Sequence, residues 1–213
     1  MQRLLAVRTL RLVSNLPDPA PDRPPRHWSE ALVWDQALVG DGAAFAQLFD
    51  LHRDRVFRHA WGLARNRQDA EDVIASAFLE LWRLRQRVRL VDGSVLPWLL
   101  ATTTNISLNS ARSRRRYQRF LERLPRQADE AETAATQVLE ISPVLREAMR
   151  TLKPKDAQLL ALVALESYTV SEAALCLALS PDAARTRLHR ARRRLQDLLG
   201  PEPTSLLIEE MTL

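Results

Sequence analysis

The spacing of apolar residues constrains the fold more than any other feature of this sequence. From Ser29 to about Arg116, apolar side chains recur every three or four residues, which is the period of one face of an α-helix. In the segment 67–84 these positions are Ala70, Val73, Ile74, Ala77, Phe78 and Leu81. Glycine is scarce, with 5 among 213 residues, while Leu, Ala, Arg and Glu are common. The sequence therefore predicts an all-α protein.

A polar segment divides this helical pattern into two parts. Residues 118–141 lack the apolar period, contain Pro125 and change from basic to acidic, which indicates a flexible linker. The first part of the chain, residues 1–27, is rich in proline and predicts a disordered leader. We therefore expect two small helical domains, at 28–117 and 142–200, and a short tail at 201–213.

Helix start signals mark the second domain. In the pairs Ser142-Pro143 and Ser180-Pro181, the serine is placed to cap a helix whose first residue is proline. Thr169 and Glu172 form the S/T-x-x-E pattern of a capping box. The last two predicted helices, one short and one long and basic, are separated by a tight turn. Together they predict a helix-turn-helix.

Charge and reactive residues limit the classes of function. The net charge of +5 and the isoelectric point near 10.2 favour a polyanionic partner, either nucleic acid or an anionic membrane surface. The single cysteine, Cys176, excludes a disulfide framework and a cysteine zinc site, and it predicts a buried thiol in a reducing cytoplasm. The four histidines lack metal-ligand spacing, and the sequence has no phosphate-binding loop, nucleophile motif or apolar run of about 20 residues. We expect no catalytic activity, metal, cofactor or membrane span.

The basic residues of 181–199 fall away from the apolar side of the predicted helix. At about 100° per residue, an apolar stripe can dock on the preceding helix; it consists of Ala184, Leu188, Ala191, Leu195 and Leu198. The remaining surface carries Arg185, Thr186, His189, Arg190, Arg193 and Arg194. A cationic rod of this width fits a DNA major groove, so we predict that these six residues bind DNA. A solvated basic face is the alternative.

A second basic cluster ends the first domain. It contains Arg112, Arg115 and Arg116, and it follows Trp98 and a run of small polar residues. That run is Thr102, Thr103, Thr104, Asn105, Ser107, Asn109 and Ser110. Amides and hydroxyls for bases, an aromatic ring and arginines for phosphates suit a nucleic-acid surface, including a single strand. A cationic helix end is the simpler alternative.

The order of these motifs resembles one known family, the extracytoplasmic-function sigma factors of bacterial RNA polymerase. Its region two is similar to GDGAAF at 40–45, DAED at 69–72 and FLELW at 78–82. The segment that melts and recognises the minus-ten promoter element is similar to residues 97–116, PWLLATTTNISLNSARSRRR. Region four, which recognises the minus-thirty-five element, is similar to RTRLHRARRRL at 185–195.

The resemblance implies partners and site residues. The partners are core RNA polymerase, promoter DNA and an anti-sigma protein. The six polar residues of 181–199 would contact the minus-thirty-five element, and loop 86–94 would receive a flipped base. Contacts to the minus-ten element would come from Trp98, Asn105, Asn109, Arg112, Arg115 and Arg116. The acidic helix would dock on the polymerase clamp through Asp69, Glu71, Asp72, Phe78 and Leu81.

Two positions depart from the family pattern. Ala75 and Ser76 stand where the family usually has Gln-Glu, which leaves fewer polar contacts for the polymerase clamp. Ala178 replaces the turn glycine of region four, so the turn needs a conformation that a Cβ atom accepts.

Two other classes of function remain open on the residues alone. One is a helix-turn-helix activator with a helical sensor domain, which would bind duplex DNA without polymerase. The other is a helical adaptor whose basic faces bind acidic proteins, with little salt-dependent affinity for DNA. For the free chain we expect no large permanent interface between the domains, because the linker is polar and the basic faces repel each other.

Overall fold

The computed structural model describes residues 29–64, 66–121 and 141–199, with side chains up to residue 117 in the second range. The leader, most of the predicted linker and the tail lie outside these residues. Within them the chain forms eight α-helices and no strand, apart from an isolated bridge between Val91 and Ser94. The predicted all-α fold is confirmed. The helices are α1 Glu30–Leu38, α2 Gly42–Ala64, α3 Arg67–Leu84, α4 Leu96–Leu121, α5 Pro143–Arg150, α6 Pro154–Leu160, α7 Val170–Cys176 and α8 Pro181–Leu199.

The helix starts predicted for the second domain are confirmed. Ser142 Oγ and Ser180 Oγ each accept a hydrogen bond from the backbone N–H three residues further on, at 3.1 and 3.2 Å. At α7 the capping box is complete, because Thr169 Oγ1 accepts from the Glu172 N–H at 3.2 Å and Glu172 Oε2 accepts from the Thr169 N–H at 2.6 Å. These bonds satisfy N–H groups that have no partner within a helix, so local sequence fixes where α5, α7 and α8 begin.

The first domain is a bundle of α1 to α4. Helix α3 buries its predicted apolar stripe, from Ala70 to Leu81, against its neighbours. Phe45 and Phe49 of α2 pack edge to face on Phe78, with ring centroids 6.4 and 4.8 Å apart. Helix α4 continues to Leu121, four residues into the segment expected to be linker.

The second domain packs α5, α6 and α7 against α8. The buried residues of α8 are four members of the predicted stripe, whereas Leu198 is 52% exposed. A single π turn, Ala161–Leu165, continues α6. It ends at Glu166, and the next residue, Ser167, has a left-handed backbone with φ 58°. A π turn shifts the residues that follow it out of the α-helical register, so the turn determines where Glu166 lies.

The two domains share a hydrophobic core, so the expectation that they lack a large interface is wrong. The first domain contributes Leu63 of α2, Val91 of the loop, and Leu100, Ala101 and Leu108 of α4, which cluster with buried residues of α5 to α8. Repulsion between basic faces does not prevent this contact, because α4 meets the second domain through an apolar side. The six basic-side residues of α8 are exposed to solvent.

Candidate nucleic-acid and polymerase interfaces

The outer side of α8 presents the residues predicted to contact the minus-thirty-five element. All six are exposed. At the start of the helix, Arg185 Nη1 donates to Asp182 Oδ1 at 2.7 Å, and Thr186 Oγ1 donates to Asp182 O at 2.9 Å. Arg187 instead donates to Asp156 of α6 at 2.9 Å and helps to hold α8 on its domain. The result is an exposed cationic surface on a rigid helix, as major-groove binding requires.

The turn before α8 is built without glycine. The Leu179 N–H donates to Ala174 O at 2.9 Å, and the Ala178 N–H donates to Leu175 O at 3.2 Å. This is the Schellman pattern, which ends α7 and requires a left-handed residue. Ala178 adopts that conformation with φ 52°. The replacement of the family's glycine therefore preserves the turn and adds backbone strain.

Five of the six residues predicted to contact the minus-ten element follow one side of α4, which we call the α4 stripe. Their spacing of seven, four, three and four residues is helical. The stripe consists of Trp98, Asn105, Asn109, Arg112 and Arg116. Asn109 and Arg116 are exposed, while Trp98 and Asn105 are half-buried. The sixth residue, Arg115, lies outside the stripe.

Two of the predicted minus-ten arginines are engaged by the second domain. Arg112 donates through Nε to Arg150 O at 2.9 Å and through Nη2 to Leu152 O at 2.7 Å. Arg115 pairs with Glu147 of α5. Arg112 thus joins α4 to the last residue of α5 and to the residue two positions beyond it, whereas Arg115 joins α4 to α5 itself. While the domains are packed, these guanidinium groups are bound to protein groups.

Three of the small polar residues of α4 are buried, contrary to the prediction that their run faces a nucleic acid. They are Thr103, Thr104 and Ser107. Thr104 Oγ1 donates to Leu100 O at 2.9 Å, a bond within its own helix. Small side chains at these positions allow close packing of α4. The same composition also suits a nucleic-acid surface, so composition alone does not distinguish the two.

The loop predicted at 86–94 begins with the 3₁₀ turn Arg85–Arg87 and ends in a tight turn. Asp92 and Gly93 both have left-handed backbones, with φ 50° and 75°. This allows Val91 and Ser94 to exchange two backbone hydrogen bonds, of 3.1 and 3.0 Å. The loop therefore has a defined tip.

Glu30 of α1 holds the end of this loop. Its Oε1 accepts hydrogen bonds from Ser94 Oγ at 3.1 Å and from the Val95 N–H at 2.7 Å. The same oxygen lies 2.8 Å from His52 Nε2 of α2. One partly buried carboxylate thus connects α1, α2 and the residues just before α4, and sequence patterns did not predict this role.

The predicted polymerase-docking acids lie at the first turns of α3. Glu71 and Asp72 are exposed, and Glu71 Oε1 accepts from Arg67 Nε at 2.8 Å. Asp69 is half-buried and pairs with Arg114 of α4. The outer side of α3 is therefore acidic and accessible at Glu71 and Asp72, and less so at Asp69.

Phe78 and Leu81 cannot dock on a partner, so their prediction as polymerase-binding residues is wrong. They are 3% and 0% exposed, because the helical period turns both towards the core. The exposed apolar residue here is Leu79, at 68%, which the resemblance did not single out. Ala75 and Ser76, the two departures from the family pattern, are exposed on the same helix.

A buried ion cluster joins the two domains; we call it the Glu166 cluster. Glu166 Oε2 accepts from Arg55 Nη2 at 2.7 Å, and Glu166 Oε1 lies 2.6 Å from His59 Nδ1. His59 Nε2 lies 2.8 Å from Thr104 Oγ1. Burial raises the pKa of Glu166, but the charges and hydrogen bonds of His59 and Arg55 outweigh burial and hold that pKa below its usual range. Glu166 is therefore ionised at neutral pH.

Within the described ranges, no three His, Cys, Asp or Glu side chains are grouped so that they could hold a metal ion. None of the described helices combines the length and apolar character needed to cross a membrane.

The fold and the exposed basic helix define a helical, two-domain DNA-binding protein. The family description "Sigma-70 region 2" matches residues 48–117, within the first domain, and "Sigma-70, region 4" matches residues 143–195, within the second. The RNA polymerase sigma factor CarQ of Myxococcus xanthus is 33% identical over 167 residues, which are 75% of this chain and 92% of CarQ. The chain belongs to the extracytoplasmic-function sigma factors of the sigma-70 family.

Two further similarities agree with this assignment. The ECF RNA polymerase sigma factor SigE of Mycolicibacterium smegmatis is 31% identical over 171 residues, 76% of this chain and 65% of SigE. Among solved structures, CnrH in complex with the cytosolic domain of CnrY has the same fold, with a TM-score of 0.50 and 24% identity over 80% of this chain and 96% of CnrH. Family membership disfavours the activator and the adaptor as functions of this chain.

Proposed function

We propose that this chain binds core RNA polymerase and directs it to promoters, with α8 on the minus-thirty-five element and the α4 stripe and loop 86–94 on the minus-ten element. The observation that carries the proposal is the basic side of α8. Its six exposed residues lie opposite a buried apolar stripe, within the part of the chain that matches region four. Sigma factors are not enzymes, so no reaction is assigned. The site of action is the cytoplasm, where polymerase works.

Docking on polymerase is assigned to the outer side of α3. Glu71 and Asp72 supply negative charge for a basic clamp, and exposed Leu79 supplies apolar contact about two helical turns further along the same helix. Phe78 and Leu81 support this surface from within the core. Ala75 and Ser76 lie on the exposed part of α3 and offer little to a partner, so docking depends on the acids and Leu79.

The working units are the domains at 28–117 and 142–200 with the segment 118–141 between them. The family matches fall inside these two domains. An anti-sigma protein is proposed as a partner on family membership alone.

Run-off transcription with purified core polymerase on genomic fragments tests this function. We expect defined transcripts that require the chain. A gel-shift with and without polymerase provides the second readout, since a sigma factor needs polymerase for a stable promoter complex. A stable, sequence-specific complex without polymerase, together with no chain-dependent transcript, would contradict the proposal.

A further inference from the structure

The packing of the two domains engages groups that are assigned to promoter DNA. Arg112 and Arg115 of α4, both assigned to the minus-ten element, are bound to groups of the second domain. While these bonds persist, both guanidinium groups are partly occupied by protein groups. Full contact of both arginines with the minus-ten element therefore requires these bonds between the domains to break.

We propose that the Glu166 cluster is a latch that holds the free chain closed, and that the latch must open before the chain engages a promoter. The second part rests on the proposed function. The first part, a closed form held by Glu166, does not.

The position of the carboxylate favours a latch. Glu166 comes from the second domain, and its two oxygens contact nitrogen atoms of Arg55 and His59, both on α2 in the first domain, at 2.7 and 2.6 Å. Its side chain is 2% exposed, and the core that the two domains share beside it is apolar. Removing the carboxylate would leave the buried His59 and the partly exposed Arg55 without this partner, which disfavours the packed form.

The chemistry of the interface suits opening as well as closing. Moving a salt bridge out of water costs much of what its attraction contributes, so an apolar cluster would serve a permanent interface better. The ionic groups regain water when the domains separate. Other contacts across the interface are polar too, such as Gln158 Nε2 donating to Ala101 O at 3.1 Å. Solvent can replace these polar bonds when the domains separate, whereas the buried apolar residues that the two domains share favour closure.

Closure also withholds groups assigned to the minus-ten element. Arg112 and Arg115 are bound to α5 and the residues around it, as described above. The α8 surface, by contrast, stays exposed. The closed form therefore restricts the first domain's DNA contacts more than the second domain's.

The backbone beside the latch is unusual. The π turn Ala161–Leu165 leads directly into Glu166, and Ser167 holds a left-handed φ of 58°. Such features cost free energy and are retained where they place a particular residue. Here they place the Glu166 carboxylate next to Arg55 and His59.

Small-angle scattering of the full chain tests the latch. The variants are Glu166→Gln, which keeps the shape of the side chain, and Arg55→Gln, which removes the partner from the other domain. Asp197→Asn is the matched control, because it removes one negative charge from an exposed position on α8. Wild type and Asp197→Asn should be compact. Glu166→Gln and Arg55→Gln should show a larger maximum dimension with unchanged helix content by circular dichroism.

The second arm measures the affinity of each chain for core polymerase on a promoter probe that carries both elements. In the wild type, the closed population does not bind the promoter and therefore lowers the apparent affinity. Glu166→Gln lacks this population, so it should bind the promoter probe about threefold or more tightly than wild type. The control in this arm is Asp35→Asn, which removes an exposed negative charge from α1, outside the proposed DNA and polymerase surfaces. Its affinity should equal that of wild type.

Each outcome is decisive. Folded but compact Glu166→Gln and Arg55→Gln chains would overturn the latch. If Glu166→Gln fails to fold, Arg55→Gln carries the test, because this variant keeps the contact between Glu166 and His59. Opening without tighter promoter binding would overturn the link to promoter engagement. If wild type supports no transcription at all, the proposed function fails, while the scattering result still decides whether Glu166 closes the chain.

Discussion

At the scale of single residues, Ala178 offers a direct test of backbone strain. Its φ of 52° suits glycine better than alanine. We expect Ala178→Gly to raise the free energy of unfolding by about 0.5–1 kcal/mol, since relief of the left-handed strain exceeds the extra chain entropy of glycine. Denaturant titration gives the value. Ala75→Gly, on the exposed side of α3, is the control and should lose about 0.5–1 kcal/mol; equal effects at both sites would contradict the strain.

Residue burial follows from periodicity, whereas residue function does not. The apolar period of α3 predicted that Phe78 and Leu81 share a face, and the structure places that face in the core. The resemblance nevertheless assigned both residues to polymerase docking. A sequence motif does not distinguish buried residues that support a surface from exposed residues that contact a partner. His59 is buried, and its contact with Glu166 joins residues that are 107 positions apart in the sequence. Local patterns contain no information about such a partner.

At the scale of one helix, α8 allows sequence-specific recognition of bases to be distinguished from non-specific attraction to phosphates. Arg190 and Arg194 are both exposed. If Arg190 contacts base edges, Arg190→Ala should cost about 1–3 kcal/mol at the preferred upstream element and relax its sequence preference. If Arg194 contacts only phosphate, Arg194→Ala should weaken binding to all sequences alike and reduce the salt slope by about one.

Holoenzyme affinity for the best promoter and for a scrambled sequence, at several salt concentrations, distinguishes the two roles. Leu188→Ala serves as the structural reference, since Leu188 is buried and its truncation should destabilise the domain by about 2–5 kcal/mol. An equal loss on both DNAs for Arg190→Ala would show that α8 anchors without recognising sequence.

The connection between α1, loop 86–94 and α4 depends on Glu30. Glu30→Ala leaves Ser94 Oγ, the Val95 N–H and His52 Nε2 without their shared acceptor, so the free energy of unfolding should fall by about 1–3 kcal/mol. Hydrogen exchange at the Val95 amide should accelerate. Glu71→Ala removes an exposed acid paired with Arg67 and should cost less than about 1 kcal/mol. A similar loss for both variants would show that Glu30 contributes no more than a surface ion pair.

The elements themselves were predictable to different degrees. Caps at Ser142, Thr169 and Ser180 are local chemistry, and all three formed as the sequence predicts. The π turn at Ala161–Leu165 was not predictable, because its residues are ordinary helix formers and its register is set by what Glu166 meets across the interface. The apolar side of α4 that packs against the second domain was not predictable from the sequence for a similar reason. Its leucines and alanines are equally consistent with packing inside one domain.

At the scale of the whole molecule, Glu166 makes the packed state sensitive to acid. Its pKa in the folded chain lies below the ordinary value of 4.5, because His59 and Arg55 outweigh the effect of burial. A depressed carboxyl pKa stabilises the folded state at pH values above the ordinary pKa, and this contribution disappears as the pH falls through the folded pKa. Unfolding free energies of wild type and Glu166→Gln, measured from about pH 7 down to about pH 3, should therefore differ most near neutrality and converge in acid. A gap between wild type and Glu166→Gln that stays constant into acid would mean that Glu166 is not held as a carboxylate between the two domains.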